Sequence, residues 1–334
     1  MKTTASDNEE PSAGSSNRLT AAEIKSMWNL GKVMKNLGRS DQCVKFAEDH
    51  HLIKRSRLCS GHRSPMTLSK GGHSVLGAFE CHKRTCRGKR ISRAKGTWFE
   101  NAKISLPHIF YLMYCYAHHW PQEMVRLENF IEGPNFSTRT ITDWYNFCRE
   151  VVVSYQIEKQ DAVDKIGGVG KKVQIDEIKF GKRKPSKYSN AIEGHWLLGM
   201  IADDSEDLRL EICQDKVRSV NVLLPFIKKH VKEGTIIRAD FWEDADCLAD
   251  TGFKFEKVTY NDSDKLLKGT DGKQIQRIDA QWRVVKHFYY RDNFNNPANF
   301  ADMIVEYLWR KSITRKHEDP FLKLIEAIQY SFGQ

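Results

Sequence analysis

Apolar positions along this chain follow two different periods, and the changes of period divide it. From Leu19 the repeat is helical. LTAAEIKSMWNLGKVMKNL (19–37) reads as one helix with Thr20 as N-cap and Glu23 three residues later, and SDQCVKFAEDHHLI (40–53) as a second capped by Ser40. The plain reading of 19–53 is a small helical appendage, packed on itself or on a neighbour. Residues 54–97 change to short β-like runs around a Gly71-Gly72 turn. Between Ser105 and Val153 the helical period returns in LPHIFYLMYCYAHH, PQEMVRLENFIEG and STRTITDWYNFCREVVV. Prolines stand at the first two starts, and a Ser137/Thr138 cap opens the third.

Beyond a polar, glycine-bearing linker at 156–171, strands and helices alternate. VQIDEIKF, HWLLGMIADD and LRLEICQD read as strands, SVNVLLPFIKKHV as a helix, TIIRADF as a strand, EDADCLADTG as a short helical piece and KFEKVTY as a strand. Three helical stretches follow: IDAQWRVVKHFYYRD, NFADMIVEYLWRKSI and DPFLKLIEAIQYSF. Three antiparallel strands, a crossover helix, a parallel strand and then helices is the order of an RNase H-like fold with a mixed sheet. The expected organisation is multidomain α+β. A disordered polar tail (1–18) precedes a helical N-terminal segment (19–53), a zinc-ribbon-like unit (54–97) and a helix-turn-helix unit (98–155). The linker (156–171) then leads to an RNase H-like catalytic domain (172–334).

Composition narrows the partners. Across 334 residues, 53 Lys and Arg face 43 Asp and Glu, a net charge of +10 that favours a polyanion. No apolar run approaches the roughly 18–20 residues needed to span a bilayer, and the first 18 residues lack the apolar core of a signal peptide. A soluble intracellular protein with its eight cysteines reduced is the expectation.

Cys59-x2-His62 and Cys81-x4-Cys86, each on a tight turn and joined by a hairpin, have the plan of a structural zinc site. The alternative is a reduced cysteine pair beside an exposed histidine, and His73 and His82 compete as ligands. KRTCRGKRISRAK (83–95) holds seven basic residues and no acid, so Arg87, Lys89 and Arg90 are candidate phosphate contacts, unless the run is simply a solvated basic face. The helices of 105–153, with their Gly-Pro turn, fit a helix-turn-helix. Its recognition helix would offer Thr138, Arg139, Thr140 and Asp143 to a groove; a plain three-helix bundle fits equally. GGVGKK (167–172) is not a phosphate loop, because that pattern needs glycine at 165 and Ser or Thr at 172, and both are lysine.

The sharpest signal is acidic. Asp176 interrupts an apolar strand, Asp240 ends TIIRAD, and Asp279 opens a helix. Carboxylates in such settings suggest a convergent site for two hard divalent cations, Mg2+ or Mn2+, and phosphodiester cleavage uses two such ions about 3.5–4 Å apart. Glu177 should point to the other strand face, as a structural or DNA-side group. Arg283 and Lys286 share the helical face of Asp279 and are candidate phosphate contacts, while Ile278, Trp282 and Val285 form the adjoining core stripe. Trp242 reads as packing. Lys182, Arg183 and Lys184, with Lys187, read as a DNA-contacting loop.

KGTWFENAKISLP (95–107), IGGVGKKVQIDEIKFGKRK (166–184), EGHWLLGMI (193–201), ADFW (239–242), IDAQWRVVK (278–286) and YLWRK (307–311) together resemble Merlin-type DDE transposases, relatives of the ISXO2-like bacterial transposases. The resemblance covers nearly the whole chain after residue ~50. It implies an N-terminal zinc region at Cys59, His62, Cys81 and Cys86, helix-turn-helix recognition of terminal inverted repeats, and a catalytic core using Asp176, Asp240 and Asp279. Such an enzyme hydrolyses DNA at the ends of its transposon and joins the freed 3′-OH to target DNA. A homodimer that synapses two ends and a nuclear location are further expectations. Three positions depart from the family pattern: Asp279 stands where Glu is usual, Asn261-Asp262-Ser263 where Asn-His-Ser is usual, and His62 where Cys is commoner. The first two also fit a domesticated, catalytically inactive DNA-binding descendant.

Overall fold

A helix that is apolar on every face needs neighbours on every face, and LPHIFYLMYCYA is such a helix. In the computed structural model, which describes residues 19–69, 76–86, 88–160, 163–183, 192–213, 220–239, 251–257, 276–291 and 299–333, it is the centre of the largest core among the described residues. The front half runs α1 (Ala21–Ser26), α2 (Leu30–Leu37), α3 (Ser40–Asp49), β1 (Thr67–Ser69), β2 (Ala78–Glu80), β3 (Arg90–Ser92), α4 (Leu106–Ala117), α5 (Gln122–Leu127) and α6 (Thr138–Gln160). The back half runs β4 (Ile166–Gly167), β5 (Lys172–Arg183), β6 (Ile192–Ala202), β7 (Leu208–Cys213), α7 (Val220–His230), β8 (Val231–Lys232), β9 (Ile236–Ala239), β10 (Lys254–Lys257), α8 (Gln276–Arg291), α9 (Phe300–Arg315) and α10 (Pro320–Phe332). The chain is thus mixed α and β, with helices beside a mixed sheet. No helix among the described residues is long and apolar enough to cross a membrane.

Every residue of α4 except His108 is buried, under α2, α3, α6 and α10. The segment 19–53 is therefore not an appendage: Val33, Leu37, Cys43 and Ala47 belong to the main helical core. Its first expected helix is two. Thr20 forms the expected capping box with Glu23, but the helix stops at Ser26 because Asn29 caps a second one, its Oδ1 accepting the Lys32 N–H at 2.9 Å. Trp28 fills the break, its ring 5.3 Å from Phe46 and 5.2 Å from Phe321, while its backbone N–H donates to Asp319. Ser40 is the first residue of α3 and not its cap; Arg39 holds the cap position, its N–H bonded to the Gln42 side chain at 3.1 Å. The expected linker begins as helix, since α6 continues to Gln160, and later contributes β4, which pairs with β8.

The five-stranded sheet has the order β7-β6-β5-β9-β10. β5, β6 and β7 are antiparallel neighbours; β9 and β10 run parallel to β5. The two-residue side-chain period sends Val173 and Ile175, with Leu198 and Met200, toward α7, and Phe180, Leu197, Ile201 and Leu210 toward α8 and α9. The central strand is covered on both faces, which accounts for the apolar run that marks it in the sequence.

One helix ties the cores together. Phe300, Met303, Ile304 and Tyr307 of α9 lie in the sheet-side core, whereas Trp309 and Ile313 lie in the helical one, with the whole apolar stripe of α10. The last helix of the chain, expected with the sheet, packs instead on α4 and α6. At the crossing Glu306 is buried between Arg149 of α6 (2.7 Å) and Arg310 (2.7 Å), and Arg310 also donates to the Tyr116 and Ala117 carbonyls that end α4. Burial pushes the Glu306 carboxyl up, but the Arg310 and Arg149 guanidiniums more than offset this and hold it at about 2. Glu306→Gln leaves two buried guanidiniums without their anion and should destabilise the protein by about 3–5 kcal/mol, measured by chemical denaturation. Because the folded carboxyl titrates below its ordinary value of 4.5, its contribution is complete above that value and is lost as pH falls toward 2. The wild type should therefore lose stability across that window more steeply than Glu306→Gln does.

Candidate functional site

Among the described residues, two groups of side chains hold most of the expected site residues. The first is built on the small sheet β1-β2-β3, whose interior holds Cys59, Met66, Phe79 and Cys81. A tight turn closes with Arg63 N–H to Cys59 O at 2.7 Å and Cys59 N–H to Ser64 O at 2.9 Å, with Arg63 at a φ of 51°. The turn brings His62 beneath Cys59, and a 3-10 turn at Arg84–Cys86 presents Cys86 from the other side. The four ligand atoms of Cys59, His62, Cys81 and Cys86 all lie within 4.8 Å of one another. His62 Nδ1 is 3.5 Å from both the Cys59 and Cys81 sulfurs, and Cys59 and Cys86 Sγ are 3.5 Å apart. Tetrahedral zinc bonds of about 2.3 Å to sulfur and 2.0–2.1 Å to nitrogen put sulfurs roughly 3.8 Å apart and sulfur roughly 3.6 Å from nitrogen. The group can therefore take zinc with little movement.

Its surroundings are tuned to the same end. His62 Nε2 meets Thr85 Oγ1 at 2.6 Å, which fixes the ring with Nδ1 facing the sulfurs. The Gly61 backbone N–H, then the His62 side chain and backbone N–H, pull the Cys59 thiol down to about 6; its hydrogen bond to Cys59, with burial, pushes Cys86 up to about 11. Three sulfurs this close share protons that a dication would displace. His82 is exposed and outside the group, and His73 lies outside the described residues.

The second group lies on the α8 face of the large sheet. Asp176 of β5 is half-buried. Its Oδ1 accepts the Glu177 backbone N–H at 2.7 Å and its Oδ2 accepts the Trp282 indole N–H at 2.6 Å. Directly across the register stands Gly199, over which α8 lays Trp282 and Ile278. Two residues before Asp176, the buried Gln174 accepts the Arg277 and Ile278 N–H groups at 3.1 and 3.3 Å, capping the first turn of α8, and donates to Asp203 at 2.5 Å. Arg277 adds bonds to the Asp203 and Ser205 carbonyls and to Glu206. Asp279, exposed, follows in that anchored turn, and Arg283 and Lys286 are exposed further along α8, while Ile278, Trp282 and Val285 are core as expected. Glu177 is on the α7 side, in line with Leu198 and Glu211. Gln174, Gly199 and the Trp282 N–H were not among the expected site groups. The only sequence signal for them is a lone glycine inside an apolar strand, which marks a close approach of another chain segment.

Asp240 follows Ala239, the last residue of β9, and lies outside the described residues, as do Trp242, Arg87, Lys184, Lys187 and Asn261-Asp262-Ser263. Lys182 and Arg183 are the last two residues of β5. Lys89 and Arg90 are exposed on the small sheet, with Lys89 3.2 Å from Ser60 and Arg90 paired to Glu80 at 3.1 Å. Arg93, another of that basic run, is buried and bound to Glu48 and the Lys54 carbonyl, so it is structural. The start of α6 is open: Arg139 is 90% exposed, with Asp143 at 3.6 Å, and Ser137 caps Thr140 N–H at 3.0 Å. A cleft of about 650 Å3 between β7, α6, α9 and α10 is lined by none of the site residues expected from the sequence, and its lysines and arginines alternate with Glu206, Asp207, Glu211, Glu318 and Glu326.

No family model matches the chain, and no curated protein matches it.

The Cys3His geometry makes one bound zinc per chain the expected result of metal analysis on protein purified without chelator. Cys81→Ser should lower that content, and stripping the metal should speed amide exchange in β1–β3 far more than in α4, whose core does not include the ligands.

Proposed function

We propose that this chain is a metal-dependent DNA transposase of Merlin type. An RNase H-like domain would cut DNA at the ends of the transposon and join the freed 3′-OH to target DNA. The observation that carries this is topological. Three antiparallel strands, a helix, and two strands parallel to the first, in the order β7-β6-β5-β9-β10, match the arrangement expected of an RNase H-like sheet. The first strand carries Asp176, the fourth leads directly into Asp240, and the helix that crosses over the first two strands carries Asp279 in its first turn.

Asp176, Asp240 and Asp279 would hold two Mg2+ or Mn2+ ions, for which all-oxygen ligands are suited. An ionised carboxylate offers about four acceptor positions, so the two N–H bonds at Asp176 do not preclude ligation. Bound metal would activate the attacking oxygen and stabilise the leaving one. The protein's own part is to hold the carboxylates in place and to line the phosphate path, for which exposed Arg283 and Lys286 on the face of Asp279 are suited. Terminal inverted repeats would be read by the open start of α6, through Arg139 and Thr140 in a helix-turn-helix. Exposed Lys89 and Arg90 on the zinc unit, with Arg87 beside them in the chain, would add phosphate contacts; Lys182 and Arg183 at the end of β5, with Lys184 next in the chain, would do so as well. A homodimer acting in the nucleus suits two symmetric ends.

The test is cleavage of labelled duplexes taken from the DNA on either side of the coding sequence, where this reading expects terminal inverted repeats. With Mg2+ or Mn2+, wild type should nick at the transposon end. Asp176→Asn and Asp279→Asn should each lower cleavage by about 10²-fold or more, the scale of losing a group that stabilises developing charge, and Asp279→Glu should retain it. Tight binding with no cutting in any variant would refute the enzyme and leave a domesticated DNA binder.

A further inference from the structure

Trp282 does more than fill the sheet-side core. Most of its ring is explained by packing: the side chain is buried, and a Cβ added at Gly199 would come within 2.6 Å of its Cη2 and 2.8 Å of its Cζ2. Packing alone does not require the indole nitrogen, which points across the strand pair to Asp176 Oδ2 at 2.6 Å. Asp176 and Gly199 are register partners on β5 and β6, so only a residue without a side chain at 199 lets the indole lie beside the carboxylate.

We propose that Trp282 is a positioning residue for Asp176, setting the carboxylate plane so that the group is ready to bind a divalent cation. The proposal rests on the metal-site reading above. Three features support it. Indole is a donor only, so its partner oxygen must act as acceptor; a hydroxyl or imidazole in that place could reverse roles. The other oxygen is held by the Glu177 N–H at 2.7 Å, so the two donors together define the plane. Trp282 also sits on the helix that carries Asp279, one turn further on, so the same hydrogen bond joins the two acid-bearing segments directly. Gln174 adds a second tie at the start of that helix.

The test uses the full chain and Mn2+ alone, followed by isothermal titration calorimetry, with a thermal melt to verify folding. Asp176→Asn defines the binding that belongs to this site. Trp282→Phe keeps an aromatic ring over Gly199 and removes the N–H; it should weaken that binding by about 10–100-fold, the usual cost of losing a partner that orients a metal ligand. Gly199→Ala keeps the N–H but displaces the ring, and should act in the same direction. Val285→Ala trims the same buried stripe without touching Asp176, and should leave Mn2+ affinity at the wild-type value. In cleavage, Trp282→Phe should raise the Mg2+ concentration for half-maximal rate and recover at saturating metal. If Trp282→Phe and Gly199→Ala fold and bind Mn2+ like wild type, or if Val285→Ala weakens binding equally, the positioning role is wrong. A wild-type isotherm no different from that of Asp176→Asn would overturn the metal site itself, and this inference with it.

Discussion

A carboxylate on the inner face of a central strand, beneath a helix, is hard to accommodate. Removing it from water costs several kcal/mol unless hydrogen bonds replace the lost hydration. Much of the back half of the chain can be understood as the solution to that constraint at Asp176. β6 has glycine opposite it, α8 lowers Trp282 into the space, and the indole N–H meets the acid. Gln174, on the same strand face, then fixes where α8 begins, and so where Asp279 stands. A simple core would have used an aliphatic residue at 176. The acid retained there instead accepts two N–H groups, from Glu177 and Trp282, and this is the feature on which the proposed metal site rests.

The front half answers a different need. The front and back halves are not strung on a free linker, so their separation is held by packing. α6 runs without a break from the open Ser137–Asp143 turn to the edge of the sheet side, and α9 and α10 return the chain into the front core. The Arg149–Glu306–Arg310 cluster locks that return and borrows the last carbonyls of α4. Hydrophobic faces could pack α9 on α6 in several registers. An ion cluster with fixed hydrogen-bond geometry accepts one.

Much of this was legible in the sequence because period and local chemistry act over short distances. Alternation in VQIDEIKF reveals β5, the Thr20–Glu23 pair reveals its capping box, and the spacing around Cys59 and Cys81 reveals the four ligands that the structure brings together. The mixed α and β character follows from the succession of periods. What stayed hidden depends on partners far apart in the chain. Apolar spacing shows that α10 has a buried stripe but not that α4 and α6 cover it, and nothing local links Arg149 to Glu306, 157 residues away. The break at Asn29 was missed because the apolar period runs on through it, and Trp28 is drawn aside by Phe46 and Phe321 from other segments. The Trp282 stripe was read correctly as core, but periodicity is blind to a nitrogen at the ring's edge.

The central proposal is that Asp176 and Asp279 bind a common divalent cation. The most direct measurement is a crystal grown with Mn2+ and mapped by its anomalous scattering at the manganese edge. The account predicts a peak at ligating distance, about 2.0–2.2 Å, from a carboxylate oxygen of Asp176 and shared with Asp279, with the Trp282 N–H still bonded to the other Asp176 oxygen. Manganese absent from this face of the sheet in crystals grown with ample Mn2+, or bound without Asp176, would contradict it.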